Sequence, residues 1–172
     1  MAEREALTAD YVRSILDYNP ETGEFRWKKR IDMTPQWNGR YAGKIAGCLS
    51  GGYVDIGINN ILYKAHRLAW LLMTGEWPVA DIDHKDLDGS NNRWLNIRSA
   101  TRSQNNFNKI AQSNSKSGIK GVHFSKNRGK WLVQICVRRR RINIGYFKDI
   151  KDAENAYAAA SIKFHGDFSR CR

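Results

Sequence analysis

The sequence predicts an α+β fold in two parts. Helix-spaced and strand-alternating apolar runs stand side by side in both halves, and a polar, aperiodic stretch at residues 108–117 separates them. Across that stretch the charge changes abruptly. Residues 1–110 hold 15 Lys+Arg against 13 Asp+Glu, and residues 111–172 hold 14 against 4, so the net charge of +12 belongs mostly to the second part.

In the first part, Leu7, Tyr11, Val12, Ile15 and Leu16 fall at helical spacing behind Thr8, a residue type suited to cap a helix start. The turn Asn19-Pro20-Glu21-Thr22-Gly23 ends this helix, and Glu24–Lys28 reads as a short strand. Residues 29–43 have no clear period and are expected to form a partner-contacting loop. Val54, Ile56 and Ile58 alternate with Tyr53, Asp55 and Gly57, and Asn59-Asn60 then precedes the run Ile61–Ala65. That pattern predicts a hairpin. His66–Thr74 reads as a buried helix closed by Gly75, with Pro78 beyond it. Asp81–His84 and Trp94–Ile97 read as two extended pieces around a polar loop, and Thr101–Phe107 as a helix.

In the second part, Val122–Phe124, Trp131–Val137 and Ile142–Phe147 read as three strands, separated by Lys126–Gly129 and by the Arg138–Arg141 run. Ile150, Ala153, Ala156, Tyr157, Ala160 and Phe164 then line one side of a helix over residues 149–164. The expected division is 1–107, a linker at 108–117, and 118–172.

Charge and composition narrow the function. A small block as cationic as residues 111–172 is an electrostatic footprint for nucleic acid, since each phosphate neutralised releases condensed counterions. A solvated basic surface or binding to anionic lipid is the alternative; basic residues alternating with aromatics favour nucleic acid over an amphipathic lipid-binding helix. No apolar run reaches the ~18 residues of a membrane span. The N-terminal residues lack the pattern of a secretory signal, and Cys48, Cys136 and Cys171 are odd in number and widely spaced. A cytoplasmic protein without disulfides or structural zinc is the expectation.

The chemistry-bearing residues lie in 81–106, DIDHKDLDGSNNRWLNIRSATRSQNN. Asp83 and His84 are adjacent, Asn96 follows His84 by twelve residues and Asn105 follows Asn96 by nine. In a strand-loop-strand-helix unit, Asp83 and Asn105 can offer oxygen ligands to one hard divalent cation. His84, on the opposite side of the strand from Asp83, can then take a proton from water, with Asn96 steadying the other ring nitrogen. Arg102, one helical turn before Asn105, is placed to clamp a phosphate. Spacing alone leaves ordinary turn chemistry open for these Asp and Asn residues. An EF-hand is excluded, because no Glu stands at the twelfth position after Asp83, Asp86 or Asp88. His66 reads as a packing residue, or one that supports the site from behind.

With their flanks, PETGEFRW, AHRLAW and GEWP, these residues resemble the HNH endonucleases of the ββα-metal fold, in the Asn-ending variant of phage homing enzymes. The resemblance implies a nuclease core at about 79–107. In it His84 is the general base, Asn96 and Arg102 assist catalysis, and Asp83 and Asn105 hold one Mg²⁺ or Mn²⁺ per site. Products with a 5′ phosphate and a 3′ hydroxyl follow.

Residues 117–168 resemble the APETALA/ERF-type DNA-binding domain in KGV before His123, in GKW at 129–131, in IGYF at 144–147 and in the helix AENAYAAA. The resemblance implies a three-stranded antiparallel sheet in the major groove, backed by a helix. Its groove-facing set is Lys120, His123, Trp131, Gln134, Arg141 and Asn143. Lys126, Arg128, Lys130, Arg138 and Tyr146 would meet phosphates. Cys136 stands where that family often carries arginine.

The resulting expectation is a homing-type endonuclease that nicks one strand of double-stranded DNA, as a monomer with a dimer as the alternative, in the cytoplasm of a phage-infected or bacterial cell. A non-catalytic DNA-binding regulator is the rival reading. An RNA-binding module ranks below it, for want of a stacking pair typical of single-strand readers.

Overall fold

The computed structural model describes residues 7–111, 115–138 and 140–170. The middle of the expected linker, Arg139 and Cys171 lie outside the described residues. Among the described residues the architecture is α+β, with five α-helices and several small antiparallel sheets. It divides into two compact units, Met1–Thr101 and Arg102–Arg172.

The first unit begins with α1 (Ala9–Ile15), capped by the Thr8 hydroxyl, which accepts from the Tyr11 backbone N–H at 3.2 Å. Strand β1 (Leu16–Tyr18) follows directly and pairs with β2 (Phe25–Trp27) across the turn that Asn19 organises. Residues 29–43, expected as a loop, contain a helix, α2 (Pro35–Tyr41), with Thr34 as its cap and Pro35 in its first turn. None of its residues is buried, so it left no apolar period in the sequence.

Strands β3 (Cys48–Ser50), β4 (Tyr53–Ile58) and β5 (Ile61–Lys64) form a three-stranded antiparallel sheet. Asn59 and Asn60 turn the β4–β5 hairpin with φ of 52° and 61°, the double left-handed geometry that asparagine tolerates. Helix α3 (Ala65–Thr74) ends at Gly75, whose φ is 84°. Val12, Ile15 and Leu16 meet Ile56, Ile58, Leu68 and Leu71 in one core, which also takes Ile82 and Ile97 from the β6–β7 hairpin.

Strand β6 (Asp81–His84) begins and ends where its sequence pattern does. Its partner β7 is Ile97–Ala100, three residues later than expected, because residues 93–96 turn before the strand begins; the Asn96 N–H donates to the Arg93 carbonyl at 2.9 Å. Asn96 therefore stands at the mouth of β7 and not within it.

In the second unit, α4 (Arg102–Asn108) is anchored by side chains from far along the chain. The Lys120 ammonium donates to the carbonyls of Asn106, Phe107 and Lys109 at 2.8–2.9 Å, and Phe107 stacks on His165 at 3.8 Å. Strands β8 (Val122–Ser125), β9 (Lys130–Val137) and β10 (Arg140–Phe147) make an antiparallel sheet in the order β10-β9-β8, with a bulge between Asn143 and Gly145. Helix α5 (Ile150–His165), capped by Asp149, covers one face. Val122, Val133 and Ile135 pack there on Ala153, Tyr157 and Ala160. Among the described residues, no helix is long and apolar enough to cross a membrane.

Candidate active site and nucleic-acid interface

Hairpin register sets the geometry of the candidate active site. Asp83 lies opposite Arg98 and His84 opposite Ile97, so consecutive side chains leave β6 on opposite faces. The Asp83 carboxylate, only 4% exposed, accepts from the Arg98 guanidinium at 2.8 and 2.9 Å. A charge this far from water needs such a partner.

On the other face, the buried His84 ring meets the edge of His66, with centroids 5.0 Å apart and planes at 89°, and lies 5.9 Å from the Tyr53 ring. Asn92, 2% exposed, places its side-chain oxygen 3.3 Å from His84 Nε2. Its amide nitrogen donates to the Ser90 carbonyl at 3.0 Å, which fixes which end of the amide faces the imidazole. Asn92 thereby orients the His84 imidazole through Nε2.

Asn92 therefore fills the role expected of Asn96. The Asn96 amide instead donates to Asp86 at 2.9 Å and to the Asn91 carbonyl at 2.8 Å, while its oxygen accepts from the Asp86 N–H at 3.2 Å. It ties the loop that carries Asn92. Burial raises the Asp86 carboxyl, but hydrogen bonds from Asn96 and Asn91 outweigh it and leave Asp86 below the usual carboxylate range.

Two glycines seat this loop. A Cβ on Gly89 would lie 2.4 Å from the Gly52 carbonyl and 2.7 Å from the Tyr53 ring. One on Gly23, whose φ is 76°, would lie 2.5 Å from the Arg93 nitrogen. The turn at residues 19–24 thus packs directly beneath Asn92, whose carbonyl also accepts from the Tyr18 hydroxyl at 2.7 Å. Asn92, Tyr53 and Arg98 were not singled out from sequence. Gly23 and Gly89 pack against Asn92 and Tyr53, partners that only the fold reveals, and neither glycine marks Arg98.

His66 carries a buried Nδ1 with no hydrogen-bond partner. Burial first, then repulsion from His84, Arg67 and Lys64, pushes its pKa down to about 4. The unfolded chain therefore takes up a proton near pH 6.5, while the folded chain resists until about 4. Stability is complete above 6.5 and falls as pH drops through that window, by up to about 3 kcal/mol. Unfolding midpoints measured from pH 7 to pH 4 are expected to show this loss in the wild type and a shallower one in His66→Gln; equal slopes would contradict it.

As for the remaining predicted residues, Arg102 and Asn105 lie three residues apart on α4 in the second unit, Arg102 exposed and Asn105 half-buried. On the second unit's sheet, alternation separates the predicted DNA-contact set. His123, Lys130, Gln134, Arg141, Asn143 and Tyr146 share the face opposite α5, by cross-strand pairings such as Gln134 with Asn143 and Tyr146 with Leu132. Gln134 donates to the Asn143 side chain at 2.6 Å, and the Arg128 guanidinium lies over the Tyr146 ring at 4.4 Å. Arg138 turns the β9–β10 connection with φ of 49°, and Lys126 lies in the β8–β9 turn.

Two members leave the groove-facing set. Trp131 is in phase with Val133 and Ile135 and packs on the helix side, because a period of two carries it there. Lys120 is engaged by the α4 carbonyls, where three acceptors at the negative end of a helix hold an ammonium well.

Residues 63–107 match the family model for HNH endonucleases. The chain is also similar to "Protein 3.8" of Escherichia phage T7, at 28% identity over 114 residues, covering 64% of this chain and 93% of that protein. No solved structure matches it.

Proposed function

We propose that the protein is a site-specific DNA endonuclease of the homing type, which hydrolyses one phosphodiester in one strand of duplex DNA. One observation carries the reading. Within the segment that matches HNH endonucleases, His84 is held buried on β6, its Nε2 facing Asn92, on the strand face opposite the acidic Asp83.

The His84 imidazole accepts the proton of the attacking water, and Asn92 steadies the ring. Asp83 and Asn105 are the residues assigned to a divalent cation, Mg²⁺ or Mn²⁺. A carboxylate and an amide oxygen are hard donors of the kind Mg²⁺ takes, with one or two carboxylates and several waters, and a cation here would compete with Arg98 for Asp83. Among the described residues no cluster of three His, Cys, Asp or Glu could hold a metal on its own, so water and the DNA phosphate complete the proposed set. When bound, the cation supplies positive charge to the phosphate and the leaving 3′ oxygen. Arg102 is assigned to the scissile phosphate.

The open face of the second unit's sheet is the proposed DNA reader, with His123, Gln134, Arg141 and Asn143 toward base edges and Lys126, Arg128, Lys130, Arg138 and Tyr146 toward phosphates. Each phosphate contact contributes about one to the slope of log K against log salt. Lys130→Ala and Lys126→Ala are thus each expected to lower that slope by about one; an unchanged slope in both would remove the sheet from the binding surface.

The protein is proposed to act as a monomer in the cytoplasm of a bacterial or phage-infected cell. An end-labelled duplex from the DNA flanking its own gene tests the reaction. The expected product on a denaturing gel is a cut in one strand, with a 5′ phosphate and a 3′ hydroxyl that DNA ligase reseals. Breaks that ligase cannot seal would refute the hydrolytic scheme.

A further inference from the structure

The charge balance of the first unit conceals a local excess. Residues 26–44 contain Arg26, Lys28, Lys29, Arg30, Arg40 and Lys44 against the single acid Asp32, while the candidate active-site segment 81–88 holds four aspartates. The basic segment surrounds a cavity of about 510 Å³ lined by Trp27, Arg30, Trp37, Tyr41, Asn59 and Asn60 among others. That size lies within the ~300–1,000 Å³ typical of small-ligand sites.

Its walls are aromatic and ordered by their own contacts. Trp27 meets Trp37 edge-on at 5.5 Å, and Trp37 lies 5.1 Å from Tyr41 at a tilt of 43°. The Arg30 guanidinium, buried and neutralised by Asp32, lies 5.7 Å from the Trp37 ring and closes one side. Asn59 accepts from the Tyr11 hydroxyl at 3.1 Å, and Asn60 beside it brings an amide of the kind that reads base edges.

Trp27 packs against the core, but Trp37 and Tyr41 do not serve it. Helix α2 buries no residue, is seven residues long, and is too short to stand by its own propensity. It is held instead by polar ties: Asn38 accepts from the Arg30 N–H at 2.8 Å and donates to the Arg30 carbonyl at 2.7 Å. The fold thus fixes half-exposed aromatic rings in place beside exposed Lys29, Arg40 and Lys44.

We propose that this cavity takes one unpaired base of the bound DNA strand, stacked on Trp37 and Tyr41, while Lys29, Arg40 and Lys44 hold the adjoining phosphates. The inference rests on the endonuclease reading above and adds how the first unit grips its substrate. Every base offers a π-face, so the site favours an unstacked nucleotide without selecting its identity.

The test is binding in EDTA, so that hydrolysis is suppressed, of a short duplex that is fully paired and of the same duplex carrying a one-base bulge. The bulged duplex is expected to bind roughly tenfold more tightly. Trp37→Ala is expected to abolish that advantage, and Trp37→Phe, which keeps a stacking ring, to retain it. Equal affinity for the two duplexes, or an advantage that survives in Trp37→Ala, would overturn the proposal. So would displacement by micromolar free deoxyadenosine monophosphate, or tighter binding of the RNA of the same sequence. A wild type that nicks DNA with metal yet ignores the bulge sinks only this inference; one that neither binds nor nicks DNA sinks the endonuclease reading as well.

Discussion

His84→Ala is expected to slow strand cleavage by about 10²- to 10⁴-fold, the usual contribution of a positioned general base, while the dissociation constant for duplex DNA is unchanged. The expectation follows from the position of His84 at the end of β6, with its ring lodged among His66, Tyr53 and Asn92. His84 lies in the first unit, whereas the proposed reading face belongs to the second. Because removing a buried ring also loosens packing, His84→Gln serves as a companion that keeps volume and polarity but not basicity. Single-turnover cleavage and a gel-shift titration on both variants, with circular dichroism to confirm folding, separate chemistry from binding. Loss of binding in folded variants would end the proposed division of labour.

Arg98→Ala is expected to cost about 3 kcal/mol of stability at neutral pH. Asp83 is 4% exposed, and its oxygen receives two guanidinium hydrogens across the β6–β7 pair, so removing the arginine strips a buried carboxylate of its ion-pair partner. Replacing both members with apolar residues, Asp83→Leu with Arg98→Met, is expected to recover most of the loss, since a buried pair is seldom worth more than good packing. Urea unfolding measures both. A loss below about 1 kcal/mol in Arg98→Ala would show that the pair does not balance the charge of Asp83.

What could be read from sequence was what is local. The β4–β5 turn needed only Asn59-Asn60 between alternating apolar runs, the end of α3 needed only Gly75, and the start of α1 needed only Thr8. The β6 strand and the pairing of Asp83 with His84 on opposite faces were likewise local, since a period of two decides them. Helix α2 escaped because it has no buried face, and its ties run from the Asn38 side chain to the Arg30 backbone. Asn92 escaped because its role depends on Gly23 and Gly89 packing around its loop, contacts between segments remote in sequence. Lys120 shows the same limit, for its acceptors lie 11–14 residues away, at the end of α4 and just past it. Trp131 is different: its spacing from Val133 and Ile135 already allows a place on the apolar face, the alternative to the groove-facing role that the family resemblance implies.

The most direct test of the account is incubation of supercoiled plasmid, carrying the DNA that flanks this protein's gene, with the wild type and with His84→Ala in Mg²⁺, Mn²⁺ or EDTA. The account predicts open circles from the wild type with either metal, none in EDTA, and none from His84→Ala within the time the wild type takes to convert the plasmid. Plasmid left intact by a wild type that binds the same DNA tightly would contradict it and make the protein a DNA-binding regulator.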